Sequence, residues 1–69
     1  MNFKVGDMHQ MKKNESAGYL QEGDIIIITK VEYCSTRKCD AIFINCLTKD
    51  KYANRWSDFA FDYFFEKVA

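Results

Sequence analysis

Three thiols and one imidazole are the side chains of this chain with the most chemistry to offer: Cys34, Cys39, Cys46 and His9. They make a formal Cys₃His set, with a Cys-x₄-Cys element at the edge of zinc-site spacing. A structural zinc site brings its ligands as close pairs, and neither Cys46 nor His9 has a second ligand near it in sequence, so no metal is assigned. Cys46 reads instead as a buried strand residue beside Ile42 and Ile44, free cysteine being among the most buried residue types. His9 reads as a partly exposed residue at a strand edge, with no neighbouring Cys or Ser to activate. A Cys34–Cys39 disulfide would belong to an oxidising setting, whereas an odd cysteine count without an export signal fits reduced thiols. No Gly-rich phosphate loop is present. The sequence therefore nominates no catalytic residue and no cofactor, and no enzyme is expected.

Cations and aromatic rings offer a different chemistry. Lys12 and Lys13 stand together, as do Arg37 and Lys38, while Lys49, Lys51 and Arg55 accompany Tyr52 and Trp56. Rings with flanking cations can hold single-stranded nucleic acid or an acidic protein. The ten Lys and Arg are balanced by ten Asp and Glu, so the overall charge gives no general attraction to phosphate, only local patches. Further on, Phe59-Ala60-Phe61-Asp62-Tyr63-Phe64-Phe65 puts five aromatics within seven residues, more than one face of a small core should absorb. Exposed aromatic area of that kind marks interfaces.

The elements that must position these groups are few. The chain has 69 residues, which makes a single domain over residues 1–69 and leaves no room for a two-lobed substrate cleft. An apolar fraction of 48% with 16% aromatics is enough for a real core and argues against disorder. No apolar run approaches the about 18 residues of a membrane span, and no signal-like segment opens the sequence, so a cytoplasmic protein without a membrane partner is expected.

Phe3-Lys4-Val5 alternates before a Gly6-Asp7 bend, giving a short first strand that ends there or resumes through Met8 to Met11. Residues 12–18 read as a polar loop and Glu22-Gly23-Asp24 as a second turn. Ile25 to Tyr33, opening on four isoleucines, is the surest strand. Cys34 to Asp40 reads as a hairpin loop. Ala41 to Leu47 follows as a strand with Ile42, Ile44 and Cys46 on one face and Phe43, Asn45 and Leu47 on the other. Thr48 to Lys51 is a turn, and Tyr52 to Trp56 completes an antiparallel meander. In the tail, Ser57 can cap a helix whose stripe is Phe61, Phe64, Phe65 and Val68. The reading preferred is a helical turn at Ser57 to Asp62 and a closing strand from Tyr63 to Val68, which would cover a free sheet edge.

Val5-Gly6-Asp7, the Glu22-Gly23-Asp24 turn before a β-branched strand, Trp56 near the end of the fourth strand and the closing Phe65-Glu66-Lys67-Val68 form a pattern over nearly the whole chain. It resembles the small SH3-like barrel proteins of bacterial and phage type. The resemblance implies a small five-stranded antiparallel SH3-like barrel, all-β apart from one short helix. The paired Trp, the Pro-Asn-Tyr turn and the Ala-Leu-Tyr-Asp-Tyr opening of signalling SH3 domains are missing, so recognition of Pro-rich peptides is not implied.

The expected function is a non-enzymatic binding module, most simply a protein-interaction or host-modulating small phage-type protein, with Tyr52, Arg55, Trp56, Phe59 and Phe61 as its partner-binding residues. One alternative is nucleic-acid binding through Lys12, Lys13, Arg37, Lys38, Lys49, Lys51 and Arg55. Another is a homodimer that buries the tail aromatics against a second copy.

Overall fold

A computed structural model describes residues 3–13, 20–49 and 53–68. Two glycines set the first turns. Gly6 and Gly23 sit at φ 93° and 95°, a region that costs an L side chain dearly and glycine nothing. At the first turn the Asp7 N–H donates to the Lys4 carbonyl (3.1 Å), and at the second the Asp24 N–H donates to that of Gln21 (3.0 Å). The first turn takes up Val5 and Gly6, so Phe3 to Val5 is not a strand; the resumed segment, β1, runs Met8–Met11.

Alternation then builds the sheet. β2 (Ile25–Cys34), β3 (Cys39–Cys46) and β4 (Ala53–Ser57) follow, then α1 (Asp58–Phe64) and β5 (Phe65–Lys67). Every pairing is antiparallel and the order is β4-β3-β2-β1-β5. β4 and β5 are thus the outer strands, joined through α1. β2 bends midway: its register with β3 shifts between Ile28 and Lys30. The extra residue, Thr29, donates its hydroxyl to the Phe43 carbonyl (3.2 Å). A bulge of this kind kinks and twists a strand, which lets the first half of β2 pair with β1 while the second half continues with β3 alone.

The core lies on one face: Met11, Ile26, Ile28, Ile42, Ile44, Cys46, Trp56 and Phe65, closed by Leu20 and by Phe61 from α1. The expected faces of β3 hold, with Ile42, Ile44 and Cys46 buried. Ser57 caps α1, its hydroxyl accepting the Ala60 N–H (3.3 Å). The helix runs to Phe64, two residues past the expected turn, and the closing strand starts at Phe65. Phe61 contacts Phe3 (4.9 Å), His9 (4.8 Å) and Phe65 (4.7 Å) between ring centroids. His9 is not at an edge. It pairs with Ile26 on one side and Lys67 on the other, and is 5% exposed. The closing strand, β5, pairs along β1 and so puts His9 inside the sheet instead of at its edge.

Candidate functional site

The sheet face opposite the core carries its own set of side chains. Cys34 is the direct cross-strand partner of Cys39, Glu32 of Ala41 and Lys30 of Phe43; across the next ladder Ala41 faces Ser57 and Phe43 faces Arg55. Because alternate residues share a face, Cys34, Cys39, Ala41, Arg55 and Ser57 all lie opposite Ile42 and Trp56. The hairpin loop is only four residues, 35–38, since both strands continue through the cysteines. Lys38 takes a left-handed φ of 55° to close it, and Arg37 is carried at its tip.

These elements enclose a recessed cleft of about 110 Å³, lined by Cys34, Cys39, Arg37, Asp40, Arg55 and Trp56, with Ala41 and Ser57 completing its wall. Arg37 and Arg55, from separate elements, both border it, and Asp40 is the one acidic residue of its lining. The start of α1 is tied to the same region by the Asp40 N–H, which donates to Asp58 Oδ2 (3.2 Å). Nearby, Asp58 Oδ1 and Trp56 Nε1 are buried without a hydrogen-bond partner among the described residues. Such groups hold unspent bonding capacity. A larger open depression of about 660 Å³, bordered by Gln10, Lys12, Gln21, Glu22 and Glu66, offers amides, carboxylates and one ammonium but no thiol and no guanidinium.

The nominated residues divide accordingly. Arg55 borders the cleft from the outer face, and Trp56 borders it from the core side of the sheet. Phe59 stands out on α1 at 67% exposure, whereas Phe61 is 0% exposed and enclosed in the core, where its ring is not open to a partner. Trp56 is 8% exposed, its indole packed on Phe64 (5.5 Å) and Phe65 (5.2 Å). Tyr52 and Lys51 lie outside the described residues.

The cations do not gather on one face. Arg37 and Lys38 sit at the far end of β2. Lys12 follows β1 at the opposite end, where Lys49 pairs with Asp24 (3.3 Å) at the head of β2. Lys13 rests on the Tyr63 ring, 4.0 Å from its centroid. The thiols and the imidazole are likewise dispersed: Cys46 and His9 belong to the core face and Cys34 with Cys39 to the outer one. No three His, Cys, Asp or Glu side chains among the described residues are grouped to hold a metal ion.

The sequence offers Cys34 and Cys39 for metal or disulfide chemistry, and nothing in their spacing groups them with Arg37, Arg55 and Ser57 around one cleft. The missing signal was the hairpin's length, which fixes the register and hence which side chains share a face. Among the described residues no helix is long and apolar enough to cross a membrane. No protein-family pattern matches the chain, and neither a curated protein nor a solved structure is significantly similar to it.

Proposed function

We propose that this protein is a non-enzymatic protein-interaction module whose outer-face cleft receives a carboxylate-bearing side chain from an acidic segment of its partner. The observation that carries this reading is that Arg37 and Arg55, from separate elements, border one recess whose lining holds a single acidic residue, Asp40. Guanidinium forks match carboxylates in geometry and charge. Phe59, exposed on the helix that follows the cleft residue Ser57, offers an apolar ring for a bound segment to cover. The sole histidine is enclosed on the core side, which leaves no imidazole to serve as a base beside the thiols and favours binding over catalysis. As architecture we propose that the sheet curls into a small SH3-like barrel. In support, the strand order β4-β3-β2-β1-β5 places the two outer strands on either side of α1, the Thr29 bulge bends β2, and Trp56 of β4 packs on Phe65 of β5.

The test is a binding titration followed by the anisotropy of fluorescein-labelled probes: a Glu-rich peptide, its Gln counterpart and a single-stranded oligonucleotide, each at low and moderate salt. The acidic peptide should bind, and the Arg37→Ala, Arg55→Ala double variant should weaken it about tenfold or more, as expected for lost charge-assisted hydrogen bonds, with an unchanged circular dichroism spectrum. Equal affinity for the Gln peptide, tighter binding of the oligonucleotide, or an unaffected double variant would overturn the assignment.

A further inference from the structure

We propose that Cys34 and Cys39 are a reversible dithiol–disulfide site, oxidised by an anionic low-molecular-weight disulfide. The two residues are Cα partners in the last rung of the β2–β3 hairpin, both half-buried and both with free thiols. Partners in an antiparallel ladder stand about 4.5–5.5 Å apart at Cα, inside the about 4.4–6.8 Å that a disulfide spans. Their side chains project from the same face. A bond between them therefore needs no change of register, only a small approach of the strands, since Cβ atoms of such partners stand about 4.5–5.5 Å apart and a disulfide holds them at about 3.5–4.5 Å. At the loop end of the hairpin and only half-buried, the pair is within reach of small thiols and disulfides, as exchange in both directions requires.

Both thiols line the recess that Arg37 and Arg55 also line, so a reagent bearing carboxylates is drawn to the place where it must react. One protein thiolate attacks a sulfur of the reagent, forming a mixed disulfide and releasing one reagent thiolate. The facing cysteine thiolate then attacks the protein-bound sulfur and releases the second. Cys34 and Cys39 together lose two electrons and two protons, and one reagent disulfide becomes two thiols. Cys46 stands apart from this chemistry: it is 8% exposed on the opposite face, its sulfur 3.4 Å from Thr48 Oγ1.

The experiment equilibrates the reduced protein with glutathione disulfide, quenches it in acid, and reads free thiols and intact mass. Free thiols should fall from three to one, with the mass of two hydrogens lost and the monomer retained; added reduced glutathione should restore all three. Trypsin cuts after Arg37 and Lys38, so the two flanking peptides should remain joined only in the oxidised sample. Cys34→Ser should trap a stable glutathione adduct at Cys39, because no resolving thiol faces it. Three persistent free thiols in excess glutathione disulfide, covalent dimers instead of the internal bond, or modification of Cys46 at a similar rate would each overturn the proposal. None of these readouts depends on the peptide binding proposed above.

Discussion

His9 is the only polar or charged residue buried with the core among the described residues, and neither of its ring nitrogens has a hydrogen-bond partner there. Burial disfavours the imidazolium and lowers its pKa from 6.5; the Asp7 charge works the other way, and Lys67 adds to the lowering. An unfolded chain, with a histidine of ordinary basicity, takes up its proton at a higher pH than the folded one. The unfolded state thus binds more protons in that window, so stability is full above 6.5 and is lost as pH falls through the lowered folded value. Urea midpoints should decline between about pH 7 and about pH 5, and His9→Phe, which keeps the ring and removes the titration, should flatten that decline. A slope surviving in the variant would place its origin elsewhere. Asp24 acts at lower pH. Its burial would raise the carboxyl, but the Gln21 N–H, the Thr48 hydroxyl and Lys49 outweigh that and hold it below 3.8, so its contribution disappears only in more acidic solution.

Two junctions between elements can be tested separately. Ser57 caps α1, and Ser57→Ala should cost about 1 kcal/mol in urea denaturation. Lys38 closes the β2–β3 hairpin at φ 55°, so Lys38→Gly should stabilise the fold by about 0.5 kcal/mol, the gain reduced by the greater freedom of glycine when unfolded. A loss of stability on introducing glycine would mean that the Lys38 side chain contributes more than its backbone costs. The same hairpin shows where sequence reading works and where it stops. Ile25 to Tyr33 was legible because four β-branched residues and an alternating buried face leave few options. Cys34 and Cys39 read as loop in the sequence because their rung faces outward, where no apolar periodicity marks a strand. The cleft was hidden for the same reason: Arg37, Arg55 and Ser57 converge only once the register is known. In the tail, Phe59 and Phe61 carry identical side chains two residues apart, and only the docking of α1 decides that one is exposed and the other enclosed.

At the scale of the molecule, a radius of gyration of 11.2 Å matches the about 11 Å expected of a compact chain of this length. So small a core has little stability in reserve, about 3–5 kcal/mol. Phe61 is where that reserve is concentrated, since its ring joins the segment before β1, β1 itself and β5 through Phe3, His9 and Phe65. Truncating a buried Phe to Ala typically removes about 3–5 kcal/mol, as much as the whole domain holds. Phe61→Ala should therefore be largely unfolded at room temperature by circular dichroism. The loss should also be global: far-ultraviolet ellipticity and the fluorescence of Trp56, the only Trp, should collapse along one denaturation curve in the wild type and start near the unfolded baseline in the variant. Phe59→Ala, made two positions earlier on the exposed side of the same helix, should leave both signals within about 0.5 kcal/mol of wild type. If the two substitutions cost the same, α1 would have to be docked differently against the sheet, and the outer face with its cleft would have to be reassigned along with it.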